Sequence, residues 1–258
     1  MLNSTKGIQA IQSEDGSYTA YSALFKEHYH STKDGALKES LLKHVQPAFE
    51  LQKGKNELHI LDICFGLGLN TLATLYYYQA HAPNTKLYIY SPEFDTKLIE
   101  SLPQFHYPKE FKCYTHIIKA LTTKHFYKDE KIHIELFLGD AREYIKYFHN
   151  RFDIVYQDAF SPANNPLLWT KEYFADIEQA IKEDGILTTY STALKTRLAL
   201  HVNGFYVYLA EAKGVRNFTL ASKKLLPTLQ KVDMSHKIRC NPDVKPLSDT
   251  KVAKKYYN

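Results

Sequence analysis

Five short apolar runs recur along the middle of the chain, near residues 58–63, 86–91, 132–138, 152–157 and 186–191. Runs of this length, rich in Ile, Leu, Val and Tyr, predict buried strands. Between and around them, apolar positions return every three or four residues near 70–81, 95–101, 109–127, 141–149 and 171–182, which predicts helices. Strands alternating with helix-length segments imply right-handed crossovers and a mostly parallel sheet covered on both faces. Two later runs, Phe205–Ala212 and Phe218–Ser222, flank a Lys-Gly-Val-Arg turn and predict an antiparallel hairpin at the sheet edge. The expected fold is therefore α/β and Rossmann-like, with a mostly parallel seven-stranded sheet and helices on both faces.

The flanks are patterned differently. Residues 1–40 carry turn chemistry at Asp15-Gly16 and Lys33-Asp34-Gly35 without a clear period, which suggests two short strands and a loop before a helix near 36–50. Residues 1–50 are expected to form an extension packed on a catalytic domain at 51–225, with 226–258 as a loose, lysine-bearing tail or short docking segment. No stretch approaches the roughly 18 uninterrupted apolar residues of a membrane span. Cys64, Cys113 and Cys240 are odd in number and far apart, so they make neither a disulfide framework nor a metal clip, and a cytoplasmic setting is expected. His28-Tyr29-His30 lacks a third ligand at sensible spacing, so no metal is expected. The net charge of +5 permits an RNA partner without arguing for one.

The densest chemical signal is Asp62-Ile63-Cys64-Phe65-Gly66-Leu67-Gly68-Leu69-Asn70, directly after the first core strand. Glycines at a strand–helix junction let the backbone turn sharply and approach a ligand without a Cβ between them. A dinucleotide fingerprint needs a third glycine where Thr71 stands. An acid followed by C-x-G-x-G instead suits a cofactor without a pyrophosphate, with S-adenosylmethionine the leading candidate. Nucleotide P-loop, zincin and nucleophile-elbow patterns do not occur.

Ligands of open α/β sheets bind beyond the carboxyl ends of the strands. Those ends read Asp62, Glu93, Asp140 and Asp158, an acid each time. Any one of them serves equally well as the N-cap of the next helix, but four in succession, with the glycine turn at the first, favour a cofactor site. Glu93 is placed to accept hydrogen bonds from ribose hydroxyls. Asp140, between Gly139 and Ala141, is placed to accept from an adenine amino group. Asp158 opens Asp158-Ala159-Phe160-Ser161-Pro162, a proline-stiffened loop where a transferable group meets its acceptor. A carboxylate there suits an amine: with an alkylamine pKa around 10, it positions the nucleophile more than it acts as a strong base. Lys213 and Arg216, on the edge turn, are candidates to meet phosphates.

The chain resembles the MnmC-type methyltransferase family in its stand-alone, MnmD-like form. The matching residues run from Asp15-Gly16-Ser17-Tyr18-Thr19 through Tyr29-His30-Ser31, Gly35–Ser40, the Asp62–Asn70 turn, Glu93 and Gly139-Asp140-Ala141. The most specific block is Asp158-Ala159-Phe160-Ser161-Pro162-Ala163-Asn164-Asn165-Pro166, continued by Trp169-Thr170. The resemblance implies a class I S-adenosylmethionine-dependent methyltransferase fold. It implies an acceptor amine on 5-aminomethyl-(2-thio)uridine at the wobble position of the tRNA anticodon stem-loop, flipped out of its stack. Bifunctional relatives carry a flavin oxidase that makes this amine, so a separate enzyme system is expected to supply it here. In this reading Gly66, Gly68 and Asn70 lie under the cofactor and Asp62 borders its methionine portion. Tyr29 and His30 close one side of the acceptor pocket, Pro162 belongs to its loop, Trp169 packs beneath that loop, and Asp158 is catalytic. The alternatives are a methyl- or aminopropyl-transferase acting on a small amine, and an RNA-binding protein with a relic pocket.

Overall fold

The computed structural model describes residues 9–256. The chain opens with β1 (Ala10–Gln12), β2 (Tyr18–Ser22) and β3 (Glu27–His28), a small antiparallel sheet with one strand more than the turn signals predict. The expected helix near 36–50 forms as α1 (Ala36–Glu39), a π-helical turn over Ser40–Val45, and α2 (Gln46–Leu51). In the π turn, Gln46 N–H reaches back five residues to the Leu41 carbonyl. Such a turn inserts a residue into the helical ladder and is often found at functional sites.

The core follows as β4 (Glu57–Ile63), α3 (Leu69–His81), β5 (Lys86–Glu93), α4 (Thr96–Ser101), α5 (Thr115–Lys124), β6 (Phe126–Lys128), β7 (Ile132–Leu138) and α6 (Ala141–Ile145). It continues with β8 (Phe152–Gln157), α7 (Lys171–Ala180), β9 (Ile181–Thr189), α8 (Leu194–Val202), β10 (Tyr206–Ala210) and β11 (Phe218–Ser222). The main sheet has eight strands in the order β10-β11-β9-β8-β4-β5-β7-β6. Its five central strands run parallel, β11 and β6 run against them, and β10, antiparallel to β11, runs with them. The eighth strand, β6, was hidden in the periodic run at 109–127. It is only three residues long and pairs with β7 after His125 turns the chain at φ 61°. Helix α8 was likewise not anticipated.

The strands are buried on both faces, as crossover connections require. Ile60, Ile154 and Ile186 point to the layer of α3, α4 and α5, while their neighbours Leu61, Val155 and Leu187 point to α6, α7 and α8. The helices start where side chains can cap them: Asp95, Asp140 and Thr170 accept from Leu98, Arg142 and Tyr173 N–H, respectively. After β4 the chain winds to β5 and β7 on one side, then crosses to β8 and β9 on the other. The order therefore reverses between β4 and β8, which opens a crevice at their carboxyl ends.

Of the two forms expected for the C-terminal segment, loose tail or short docking segment, the structure shows the docked one. It contains α9 (Met234–Cys240) and α10 (Asp249–Tyr256), and its Leu247 carbonyl accepts from Lys171 N–H. Arg142 Nη1 donates to Asp249 Oδ1 at 2.8 Å, and a second guanidinium N–H meets Oδ2. A two-pronged pair of this kind holds a segment that lacks hydrophobic periodicity.

One interior ion cluster ties the N-terminal segment down. The ammonium of Lys43, 2% exposed, donates to Asp34 Oδ2 at 2.7 Å and Glu39 Oε1 at 2.8 Å. Removing the cation would leave two buried carboxylates underpaired, so Lys43→Ala is expected to destabilise the fold by about 3–5 kcal/mol. The measurement is the urea midpoint of the variant against the parent protein.

Candidate active site

The end of β4 is shaped by three departures from ordinary backbone at alternate positions. Cys64, Gly66 and Gly68 have φ values of 68°, 56° and 73°, which turn the chain into α3. A Cβ on Gly66 would meet the Tyr29 ring at 3.2 Å, and one on Gly68 would meet the Phe65 ring at 2.8 Å. Gly66 thus lets Tyr29 close over the turn, whereas Gly68 serves packing behind it and does not line the cavity.

Glu93 holds this turn. Its Oε2 accepts from Gly66 N–H at 2.8 Å, and its Oε1 accepts from Phe94 and Asp95 N–H at 2.8 and 2.9 Å. Burial raises its pKa, the backbone donors opposing. A carboxylate has about four acceptor positions, so capacity remains on the face that lines the cavity. Asp140 caps α6 through Arg142 N–H, and its exposed carboxyl lies on the same wall with Gly139 and Ala141.

Together these residues border a cavity of about 320 Å³ above the carboxyl ends of the parallel strands. Strand order sets out its functional groups in a row: Asp158 after β8, the glycine turn after β4, Glu93 at the end of β5 and Asp140 after β7. Apolar surface comes from Phe94, Phe160, Leu167 and Leu168. An elongated cavity with a glycine turn beneath it, acceptors at one side and an apolar lining fits S-adenosylmethionine, whose ribose and adenine present donors. Glu93 and Asp140 would hold those groups.

Asp158 is 7% exposed and its partners come from two separate segments. Asn70 Nδ2 donates to its Oδ2 at 2.8 Å, His44 Nε2 lies 3.4 Å from Oδ1, and His30 Nδ1 lies 3.9 Å from Oδ2. His44 is fully buried, and its Nδ1 is hydrogen-bonded to Thr188 Oγ1 at 2.8 Å. Sequence reasoning missed His44. Its one signal was a histidine between Lys43 and Val45 in a helix of mixed apolar and charged residues, which reads equally well as core or surface. The π turn that carries it was not visible beforehand.

His30 also faces Glu39, whose Oε2 is 3.7 Å away. Burial works against an imidazolium, but the carboxylates of Glu39 and Asp158 outweigh it and raise the His30 pKa. Burial likewise works against ionised Glu39, yet His30 and Lys43 hold it well below the usual carboxylate range. Each member thus favours the charged form of the other.

The remaining expected site residues are distributed unevenly. Tyr29 and His30 line the cavity, and the Tyr29 ring packs on Phe160 with centroids 4.9 Å apart. Asp62 does not line it, contrary to the expected border with the methionine portion. Its carboxylate is buried beneath, accepting from Thr71 Oγ1 at 2.8 Å and reaching Asn70 Nδ2 at 3.5 Å. Trp169 is fully buried and donates to the Phe160 carbonyl at 2.7 Å, so it supports the loop from below and faces no cavity. Pro162 lies on that loop outside the cavity lining, and Lys213 is exposed on the β10–β11 turn. Arg216 turns back to Asp34, with Nε 3.0 Å from Oδ2, and donates from Nη2 to Ser31 Oγ. Among the described residues no group of three or more His, Cys, Asp or Glu side chains is arranged to hold a metal ion.

Burial raises the Asp62 carboxyl to a pKa of about 7, with the nearby Asp158 charge adding to the effect and the Thr71 hydrogen bond opposing it. The folded state then holds a proton that the unfolded chain, near pKa 3.9, releases. The associated stability is present in full below pH 4 and is lost as pH rises through 7. Asp62→Asn removes this dependence. Its stability relative to the parent protein is expected to grow by up to about 1.4 kcal/mol per pH unit between pH 5 and 7. Denaturant titrations of both proteins across that range measure the difference.

Residues 103–224 match the family model of an S-adenosyl-L-methionine-dependent methyltransferase. The solved structure of MnmC2 from Aquifex aeolicus superposes with a TM-score of 0.83 at 31% identity, covering 97% of this chain and 81% of that one. An uncharacterized protein of Methanocaldococcus jannaschii is 33% identical over 221 residues, 83% of this chain. The tRNA 5-methylaminomethyl-2-thiouridine biosynthesis bifunctional protein MnmC of Azoarcus sp. (strain BH72) is 29% identical over 225 residues, 82% of this chain. The matched segments span 59% and 35% of those two relatives. A spermidine synthase from Thermotoga maritima, at 21% identity and a TM-score of 0.51, shares the fold. The glycine turn, the row of strand-end acids and these likenesses agree, and the chain belongs to the MnmC-type family of S-adenosyl-L-methionine-dependent methyltransferases.

Proposed function

We propose that this methyltransferase acts on the primary amine of 5-aminomethyl-(2-thio)uridine at the tRNA wobble position, forming the 5-methylaminomethyl derivative in the cytoplasm. The observation that carries the reading is Asp158, a buried carboxylate at the junction of the cofactor cavity, with Asn70 and two histidines around it. The name of the MnmC relatives, tRNA 5-methylaminomethyl-2-thiouridine biosynthesis proteins, supports the substrate. In this reading the aminomethyl group is delivered by a separate enzyme system.

The bound cofactor supplies a sulfonium methyl that an unprotonated amine can attack. Asp158 attracts the alkylammonium into a mostly dry site and accepts its N–H, which orients the nitrogen. Asn70 occupies one position on Oδ2 and thereby aims the remaining lone pairs. As the amine sheds its proton, the Asp158 charge stabilises the cationic product. The carboxylate's contribution is thus positioning and electrostatic preorganisation more than strong basicity. The uridine enters extruded from the anticodon stack, as chemistry on a group carried by a stacked base requires.

The reading is tested by methyl transfer from labelled S-adenosylmethionine to tRNA carrying 5-aminomethyluridine, beside tRNA lacking that amine. Label on the first alone is the expected result; equal label on both, or on neither, refutes the acceptor. Asp158→Ala is expected to lower kcat by about 10²–10⁴-fold with an unchanged cofactor Kd. Glu93→Ala is expected to weaken cofactor binding by about ten- to a hundredfold, and calorimetric titration of S-adenosylmethionine would reveal a Kd that fails to move.

A further inference from the structure

A second cavity, of about 230 Å³, meets the cofactor cavity at four residues that line both: Tyr29, His30, Asp158 and Phe160. Its own walls include Glu27, Ser31, Thr32, Glu39, Tyr190 and Arg216, and neither Glu93 nor Asp140 belongs to it. We propose that this second cavity is the acceptor chamber, taking one extruded pyrimidine nucleotide with its alkylammonium arm toward Asp158 and a flanking RNA phosphate on Arg216. The inference rests on the function proposed above and deepens it by giving the acceptor a location.

Three features argue for it. Displacement at a methyl carbon needs donor and acceptor on opposite sides of that carbon, and two cavities joined at one carboxylate provide this arrangement. The charges suit a cationic arm at the inner end. The Asp158 carboxylate lies there with Asn70 on one oxygen, while Glu39 is already paired with Lys43 and faces His30, Glu27 is held by Ser161 N–H and Asn164 Nδ2, and His28 sits toward the exposed edge. The charge reverses at Arg216, whose side chain is 68% exposed. Bonds to Asp34 and Ser31 fix one edge of its guanidinium, and a fixed planar fork is suited to a phosphate. The Tyr29 and Phe160 rings, shared with the cofactor cavity, offer the base a stacking surface.

The transfer balances simply. The ammonium releases one proton to solvent, its nitrogen forms a C–N bond to the methyl, and the C–S bond breaks to leave a neutral thioether.

The test uses the full chain with S-adenosylhomocysteine bound, an anticodon stem-loop RNA carrying 5-aminomethyluridine, and butylammonium as a separate probe. Thr32→Trp fills the chamber wall, and Arg216→Met removes the guanidinium. Thr32→Trp is expected to weaken the RNA by at least about tenfold, the loss of one good anchoring contact, while S-adenosylhomocysteine affinity stays unchanged. Arg216→Met is expected to lower the salt dependence of RNA binding by about one charge. RNA and butylammonium binding that are both insensitive to Thr32→Trp overturn the proposal, as does failure of the parent protein to bind either probe. Butylammonium binding that is lost in Thr32→Trp, without RNA binding by the parent protein, keeps the chamber as an amine site and refutes the tRNA reading. Should Thr32→Trp lose S-adenosylhomocysteine as well, Arg216→Met decides: an unchanged salt slope overturns the chamber.

Discussion

Carboxylates buried at the ends of parallel strands must be given hydrogen-bond donors, because an ionised group left dry and unpaired is too costly to keep. Here three such acids draw their donors from one short piece of chain. Glu93 draws in the backbone of the glycine turn, joining β4 to β5 across the floor of the cofactor cavity. Asp62 takes the Thr71 hydroxyl from the first turn of α3. Asp158 takes Asn70 from that same turn and sits against His44 from the N-terminal helix. The cofactor floor and the acceptor carboxylate are therefore organised by one short stretch, residues 62–71, whose polar side chains satisfy acids on neighbouring strands.

The N-terminal segment is part of this arrangement. Its small sheet and π-containing helix bring Tyr29, His30, Glu39 and His44 to the strand ends. A chain of charged contacts then runs from exposed Arg216 through Asp34, Lys43 and Glu39 to His30 and Asp158. Its interior links are desolvated, so they are strong when complete and costly when one member is removed. The C-terminal segment adds a second tie. Asp249 grips Arg142, which follows the capping Asp140 on the cofactor wall.

The central architecture was legible because its signal is local. Apolar runs bounded by helical periodicity mark strands buried on both faces, and strand-end acids beside glycines mark the crevice. Where the chain departs from that reading, the cause is nonlocal. Phe126–Lys128 has no distinctive pattern and becomes a strand only because β7 offers an open edge. The segment after residue 225 lacks periodicity, yet backbone bonds to Val207 and Lys171, the paired Arg142–Asp249 contact and buried Met234 hold it. Asp62 shared its strand-end position with Glu93, Asp140 and Asp158, and nothing in the pattern shows that Thr71 and Asn70 would cover it.

The strand–helix alternation, the glycine turn, the acids at the strand ends and the family resemblance are all written in the order of residues along the chain. These depend on residue type and spacing within about ten positions, where backbone geometry leaves few options. Which acids face the cavity, the stand of His44 against Asp158 and the meeting of two cavities there follow from how the folded elements pack. Those outcomes depend on the crossing between β4 and β8 and on an N-terminal segment more than a hundred residues away from Asp158 in sequence. Such contacts arise from the packing of distant elements, which no local periodicity records.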